Sequence, residues 1–195
     1  MINLATIGIL GSGNIGRKLA KQFIQAGNKV IMSNHHGPDS LKNVIKELGP
    51  SAKAGTIAEA EQQNIVLLAV LRPALEDVLS QNTDWSNQIL IDATNEIPTQ
   101  LAQLRGSELV EHLAPGAHVI KAFNTLFARY MTGTNESGRR VLFFAGDDDD
   151  SKQTCQNLFV KMRYSPVDLG TIKEAGPLME FGAPLSGTHF VEVDE

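Results

Sequence analysis

Six residues near the N-terminus have the types and spacing to hold a phosphate. Gly11-Ser12-Gly13-Asn14-Ile15-Gly16 reads G-x-G-x-x-G, directly after the apolar run "TIGIL" and at the start of the amphipathic run "NIGRKLAKQFIQA". In a strand–turn–helix the first glycine makes the tight turn. The second lets backbone approach a pyrophosphate with no Cβ in the way, and the third permits close helix–strand packing. The helix start adds free N–H groups and a partial positive charge for the anion. A glycine-rich turn without a ligand is the alternative, and the flanking strand and helix argue against it. Arg17 and Lys18 follow in the first turn. Exposed basic residues on a helix are mostly solvated, so neither is given a role.

A dinucleotide fingerprint of this kind is usually followed, about twenty residues on, by an Asp or Glu that holds the adenosine ribose. The stretch "VIMSNHHGPDS" offers Ser33, Asn34, His35 and His36 there, and no carboxylate. An acid at this place accepts hydrogen bonds from both ribose hydroxyls and repels a 2′-phosphate. Ser33, Asn34 and the two imidazoles offer donors suited to phosphate oxygens, with Gly37-Pro38 shaping the loop. The expectation is NADP(H), held more tightly as pH falls through the histidine range, because a phosphate dianion favours the charged imidazolium. Two exposed loop histidines without a ligand remain the alternative.

The elements that must position these residues alternate β-type apolar runs with helical patterns, the signature of a parallel sheet with crossover helices. Strands are expected at residues 6–10, 28–33, 52–55, 64–70, 88–93, 118–123 and 140–146. The first helix runs from Asn14 to a stop at Gly27, with Ile15, Leu19, Phe23 and Ile24 facing the sheet. Asp39 or Ser40 should cap a helix through "LKNVIKEL". Thr56 and Glu59 form a T-x-x-E capping box. Pro73 opens "ALEDVLS". An irregular stretch at residues 94–106 precedes a short helix closed by Pro115-Gly116. A helix is expected from about Asp150 to Met162 and another near 171–181. The fold class is therefore α/β, a Rossmann-type doubly wound, mainly parallel sheet with a short C-terminal extension. Residues 1–195 make one NADP-binding domain, with its core at 1–146 and the extension at 147–195.

Ligands in open parallel sheets sit outside the carboxyl ends of the strands. "DATNE" and "KAFNT" put polar residues just past two such ends, so Thr94, Asn95, Asn124 and Thr125 are candidates for holding a nicotinamide carboxamide. Asn and Thr also cap turns very commonly. Asp92 and Lys121 lie at strand ends and can pair; a structural ion pair and a catalytic one are both open. His112 and His118 are read as structural. The run Asp147 to Asp150 is read as a solvated helix start rather than a metal site, and Cys155 as packed. There is no Ser-His-Asp pattern and no evident catalytic base, so no residue is assigned to the bond-making step. Hydride transfer needs orientation more than acid–base help, because the cofactor carries the chemistry.

Taken in order, "TIGILGSGNIG", "SNHHGPDSL", "ILIDATNE", "KAFNTL" and "PVDLGTIKEAG" resemble the coenzyme F-420-dependent NADP oxidoreductase family and its bacterial dinucleotide-binding branch, over residues 6 to about 187. The cytoplasmic domain of the six-transmembrane metalloreductases is similar. The resemblance implies NADPH, a flavin- or deazaflavin-like acceptor and a homodimer. Relatives often carry an arginine for the 2′-phosphate where this chain has His36, which implies softer, pH-sensitive recognition. They often have proline and an aromatic after the position of Val70, where Leu71 and Arg72 stand here; that loop borders the nucleotide. By resemblance also, Leu126, Pro184 and Leu185 would wall the acceptor pocket.

Composition narrows the rest. The 195 residues are 42% hydrophobic and 20% charged, with a net charge of -5. That balance argues against nonspecific nucleic-acid binding, which needs a basic surface. No run approaches the roughly twenty apolar residues that span a bilayer. The first residues lack a basic segment, and Gly8 and Gly11 break their apolar run, unlike a signal peptide. One cysteine fits a reducing compartment, so the expected setting is cytoplasmic. The expected function is an NADPH-dependent oxidoreductase acting on a flavin-like acceptor. The alternative is a non-catalytic NADP(H)-binding sensor or regulatory protein. A hydroxyacid or imine dehydrogenase ranks lower, because only about fifty residues follow the last well-marked strand, too few for the long helical domain of such enzymes.

Overall fold

Alternation along the strands decides the architecture. In β1 (Thr6–Leu10), Ile7 and Ile9 point into one apolar cluster and Leu10 into another. β4 (Ile65–Leu68) and β5 (Ile89–Asp92) divide the same way, with Leu67 and Ile91 on one side and Val66, Leu68 and Leu90 on the other. A strand apolar on both faces must be covered on both, which only crossover helices provide. The computed structural model describes residues 5–82, 84–95, 106–135 and 137–193.

β2 (Lys29–Ser33), β3 (Ala52–Ala54) and β6 (His118–Ala122) complete a parallel sheet in the order β3-β2-β1-β4-β5-β6. α1 (Asn14–Gln25), α2 (Lys42–Leu48) and α6 (Asp149–Lys161) cover one face through Leu19, Phe23, Val44, Leu158 and Phe159. α3 (Ile57–Glu61), α4 (Leu75–Leu79), α5 (Ser107–Leu113) and α7 (Ile172–Met179) cover the other through Ala60, Leu75, Val78, Val110 and Ile172. The expected α/β, doubly wound, mainly parallel sheet is what forms. The chain reverses its winding between β1 and β4, so the crevice for a ligand opens where the fingerprint lies.

Beyond β6 the sheet continues with mixed direction. β7 (Thr134–Asn135) and β8 (Gly138–Gly146) pair antiparallel, β8 runs antiparallel to β6, and β9 (Ser165–Asp168) lies parallel to β8. β10 (Val191–Glu192) adds a short antiparallel pairing at the far end of β8. β9 carries Pro166, which cannot donate to a ladder and fits a strand at the sheet's edge.

Local signals mostly act as read. Thr56 accepts from the Glu59 N–H at 3.1 Å while the Glu59 carboxylate accepts from the Thr56 N–H at 2.8 Å, which closes the capping box of α3. One expectation is corrected: neither Asp39 nor Ser40 caps α2. Pro38–Leu41 forms a 3-10 turn instead, and α2 starts after Leu41 with no side-chain cap. Ser40 is drawn away because its hydroxyl donates to the Gly37 carbonyl at 2.7 Å, and Asp39 pairs with Lys42 at 2.9 Å. The acidic run is used residue by residue. Asp147 accepts from the Ile172 N–H at the start of α7, Asp148 caps α6 through the Ser151 N–H, and Asp149 pairs with Lys152. Of the irregular stretch expected at 94–106, only Thr94, Asn95 and Gly106 lie within the described residues.

Candidate active site

Three glycines of the fingerprint are required for three different reasons. Gly11 has φ +110°, a left-handed conformation, and a Cβ on it would stand 2.3 Å from the Ala69 carbonyl oxygen. A Cβ on Gly16 would stand 2.1 Å from the Gly11 carbonyl oxygen, so helix and turn touch there. A Cβ on Gly13 would meet nothing within 4 Å, although Gly13 stands at the start of α1. That helix has no side-chain cap, so the N–H groups of its first turn are left to whatever enters from the open side. Arg17 does not reach outward for phosphate: its Nε–H donates to the Ser12 carbonyl at 2.7 Å and braces the loop. Lys18 donates to the Ala128 carbonyl at 2.6 Å.

The loop opens on a cavity of about 660 Å³, within the usual range for small-molecule sites. Of the candidates read from sequence it gathers Gly11, Ser12, Gly13, Ser33, Asn34, His35, His36, Val70 and Leu71. Asn34 ties the two loops together: its amide donates to the Ser12 hydroxyl at 3.0 Å and its oxygen accepts from the His36 N–H at 2.9 Å. The His35 and His36 rings lie 3.6 Å apart between centroids, tilted by 43°. Ser33 is a wall rather than a donor, because its buried hydroxyl bonds the Ile9 carbonyl at 3.0 Å. Leu71 is 82% exposed at this cavity, an unusual place for a leucine. Asn14, Ile15, Gly16 and Arg72 are not among its lining residues.

Sequence reasoning missed the other wall. Asp77 and Val78 line the cavity from α4, with Ala74 just before it and Gln81 two residues past its end. Their i, i+3 and i, i+4 spacings put them on one helix face, a signal that becomes legible only once α4 is known to border the site. The cavity's carboxylate thus enters from α4, not from the end of β2.

A second group of candidates meets past the ends of β5 and β6. The Asn95 amide donates to the Asn124 carbonyl at 3.0 Å, and the Asn124 amide donates to the Asn95 side-chain oxygen at 3.3 Å and to the Met179 carbonyl at 2.8 Å. Phe123, just before, has φ 68°, a strained conformation for a bulky residue that turns the chain at the end of β6. Asn124 Oδ1 and Thr125 Oγ1 are buried without a hydrogen-bond partner among the described residues. Such oxygens are costly unless something satisfies them. Thr94 is already committed: its hydroxyl donates to Asp92 at 2.7 Å.

Beneath this group Asp92 and Lys121 face each other across the β5–β6 register, 3.2 Å apart, both fully buried. Burial opposes the Asp92 charge, yet Lys121, Ser107 and Thr94 together hold its carboxyl below the usual range. Burial likewise opposes the ammonium, which Asp92 and Glu180 hold above the usual lysine range. Cys155 is buried, and burial pushes its thiol up, away from reactivity. His118 pairs with Asp148 at 3.2 Å. Among the described residues no cluster of His, Cys, Asp or Glu converges as a metal site, and no helix is long and apolar enough to cross a membrane.

A hypothetical protein from Sinorhizobium meliloti shares this structure at TM-score 0.90 with 37% identity, over 97% of this chain and 96% of that one. The family model for coenzyme F420-dependent NADP oxidoreductases matches residues 6–96, which contain the glycine fingerprint, the histidine loop and β5. The chain belongs to this family. A solved structure from Arthrobacter sp., described as an F420-dependent NADP reductase, shares the family's fold at TM-score 0.74 and 22% identity, over 88% of this chain and 87% of that one. Metalloreductase STEAP3 of Rattus norvegicus is 27% identical over 173 residues, 87% of this chain. The chain spans about a third of that relative, 34% of its length. The family is one of NADP-dependent oxidoreductases.

Proposed function

We propose that this chain is an NADP(H)-dependent oxidoreductase passing hydride between the nicotinamide and a flavin- or deazaflavin-like acceptor. One observation carries the reading: a glycine loop with open space where Gly13 lacks a Cβ lines a cavity whose β2 side holds Ser33, Asn34, His35 and His36 and no carboxylate. Gly11 to Gly16 and the first turn of α1 would hold the pyrophosphate. Asn34, His35 and His36 would hold the 2′-phosphate, with Val70, Leu71 and Arg72 bordering the adenosine. At the other end, Asn124 Oδ1 accepts and the Thr125 hydroxyl can donate, which complements the N–H and carbonyl of a primary carboxamide. Asn95 fixes Asn124. NADP(H), when bound, supplies the hydride. The chain's own residues bind and orient, and the accompanying proton comes from solvent. A homodimer and a cytoplasmic setting belong to the proposal; the exposed Leu178, Phe181 and Phe190 supply apolar surface for a second copy.

The test follows NADPH absorbance with F-420, FMN, FAD and a quinone as separate acceptors. An acceptor-dependent rate supports the reading and names the acceptor class. NADPH binding with every acceptor silent transfers the conclusion to a non-catalytic NADP(H)-binding sensor. Replacing both His35 and His36 with Ala is expected to weaken NADPH binding about tenfold at pH 6, the worth of one charge-assisted hydrogen bond. Its effect on NADH should be small, and the rise in NADPH affinity with falling pH should vanish. Isothermal titration at pH 6 and pH 8 reads both, and an unchanged pH dependence removes the histidines from phosphate recognition.

A further inference from the structure

Lys121 is fully buried; its ammonium donates to Asp92 Oδ2 at 3.2 Å and to the Thr94 carbonyl at 3.2 Å, and pairs with Glu180 Oε1 at 2.9 Å. An ammonium held between two carboxylates is neither a base nor a nucleophile. Burying a charge is costly and stabilises little even when it is paired, so stability alone is a weak account of it. Its partners explain it better. Asp92 ends β5, Thr94 starts the loop that carries Asn95, and Glu180 follows the end of α7. Lys121 itself lies on β6, three residues before Asn124. Met179, next to Glu180, accepts from the Asn124 amide, and Gly187 in the following turn donates its N–H to the Thr125 carbonyl at 2.8 Å. Two segments distant in sequence are thus tied to β6 through one nitrogen, and all three carry or contact the residues assigned to the carboxamide.

The geometry points to Lys121 as a positioning residue: its contacts with Asp92, Thr94 and Glu180 lock the β5 loop, the β6 loop and the end of α7 into one rigid wall that aligns Asn95, Asn124 and Thr125 on the nicotinamide. This rests on the reading of those three residues given above. Without Lys121 the two carboxylates would repel, and Glu180 would draw the end of α7 off the wall. The phosphate loop and the histidine loop, on β1 and β2, share none of these contacts.

The effect is therefore confined to one end of the ligand, and a pair of ligands reads it. NADPH is compared with 2′-phosphoadenosine-5′-diphosphoribose, which lacks only the nicotinamide, by titration calorimetry on the parent chain, Lys121→Met and Glu180→Gln. The parent should bind NADPH more tightly than the fragment. Lys121→Met should lose that preference, a loss on the order of tenfold for a misplaced contact, while its affinity for the fragment stays at the parent's value. A merely structural role would lower both affinities together. Glu180→Gln keeps the Asp92 partner, so it should fold even if Lys121→Met does not, and it should lose about half of the preference on a logarithmic scale. Full preference retained in whichever variant folds overturns the role of Lys121 while leaving the NADP(H) reading intact. A parent that binds both ligands equally overturns the carboxamide assignment and this inference with it, and a parent that binds neither overturns the NADP(H) reading itself.

Discussion

Gly13→Val should leave the fold's thermal stability almost unchanged and weaken NADPH binding by about 100-fold or more, near 3 kcal/mol. The two halves of that expectation come from the same observation. Gly13 has φ −71° and ψ −172°, extended backbone in which a β-branched residue is at ease, and no protein atom lies within 4 Å of the Cβ it lacks. Valine there costs at most about 1 kcal/mol, through a poorer helix start. The space it fills is the space a pyrophosphate must enter to reach the N–H groups of α1. Gly11 and Gly16 cannot make this separation, because a Cβ on either collides with backbone at 2.3 or 2.1 Å. Their substitution would damage loop and ligand site together. Calorimetric unfolding and an NADPH titration on the one variant decide the matter. Parental affinity in a folded Gly13→Val would place the phosphates elsewhere, whereas lost affinity with a lowered melting temperature would mean the cradle is structural.

The glycine fingerprint was readable as a strand–turn–helix because its turn lies within six residues of sequence. The strand before it and the helix after it are also local patterns, and the parallel order of six strands follows from apolar runs covered on both faces. What escaped depends on distant partners. β7, β9 and β10 are two to four residues long and exist because β8 offers them a ladder. Pro166 in β9 reads as a breaker until the strand is seen at an edge. Gly8 looked like a flaw in an apolar run; it is where the α3 backbone rests on β1, with the Ala60 carbonyl so close that no Cβ fits. Asp92 and Lys121 could be paired from strand ends alone, but Glu180 lies far along the chain and nothing local marks it. Ser33 and Thr94 have the right types for a ligand, and each had already given its hydroxyl to the protein. Residue type names what a side chain can bond; only the packed neighbours decide whether the bond is spent.

Glu61 shows the opposite situation, a buried carboxyl with one oxygen left without a partner among the described residues. It ends α3 at 2% exposure, with Oε1 lacking a partner among the described residues, and burial pushes its carboxyl up to about 7 from 4.5. The carboxyl's pKa is higher in the fold than in the unfolded chain, so the folded state holds a proton that the unfolded state has lost between those two values. Stability therefore falls as pH rises through this window, and the full penalty stands above pH 7. Its size is about 3 kcal/mol, the shift multiplied by ~1.4 kcal/mol per unit. Glu61→Gln keeps the shape and removes the charge. It should raise stability by about 2–3 kcal/mol at pH 8, roughly 5–10 °C in melting temperature for a chain of this size, and by almost nothing at pH 4.5. α3 also carries Ile57 into the cavity wall and the Ala60 carbonyl onto Gly8. Melting curves of parent and variant at both pH values test this directly. The difference must open with pH; an equal offset at pH 4.5 and pH 8 would mean that packing, not charge, separates the two proteins.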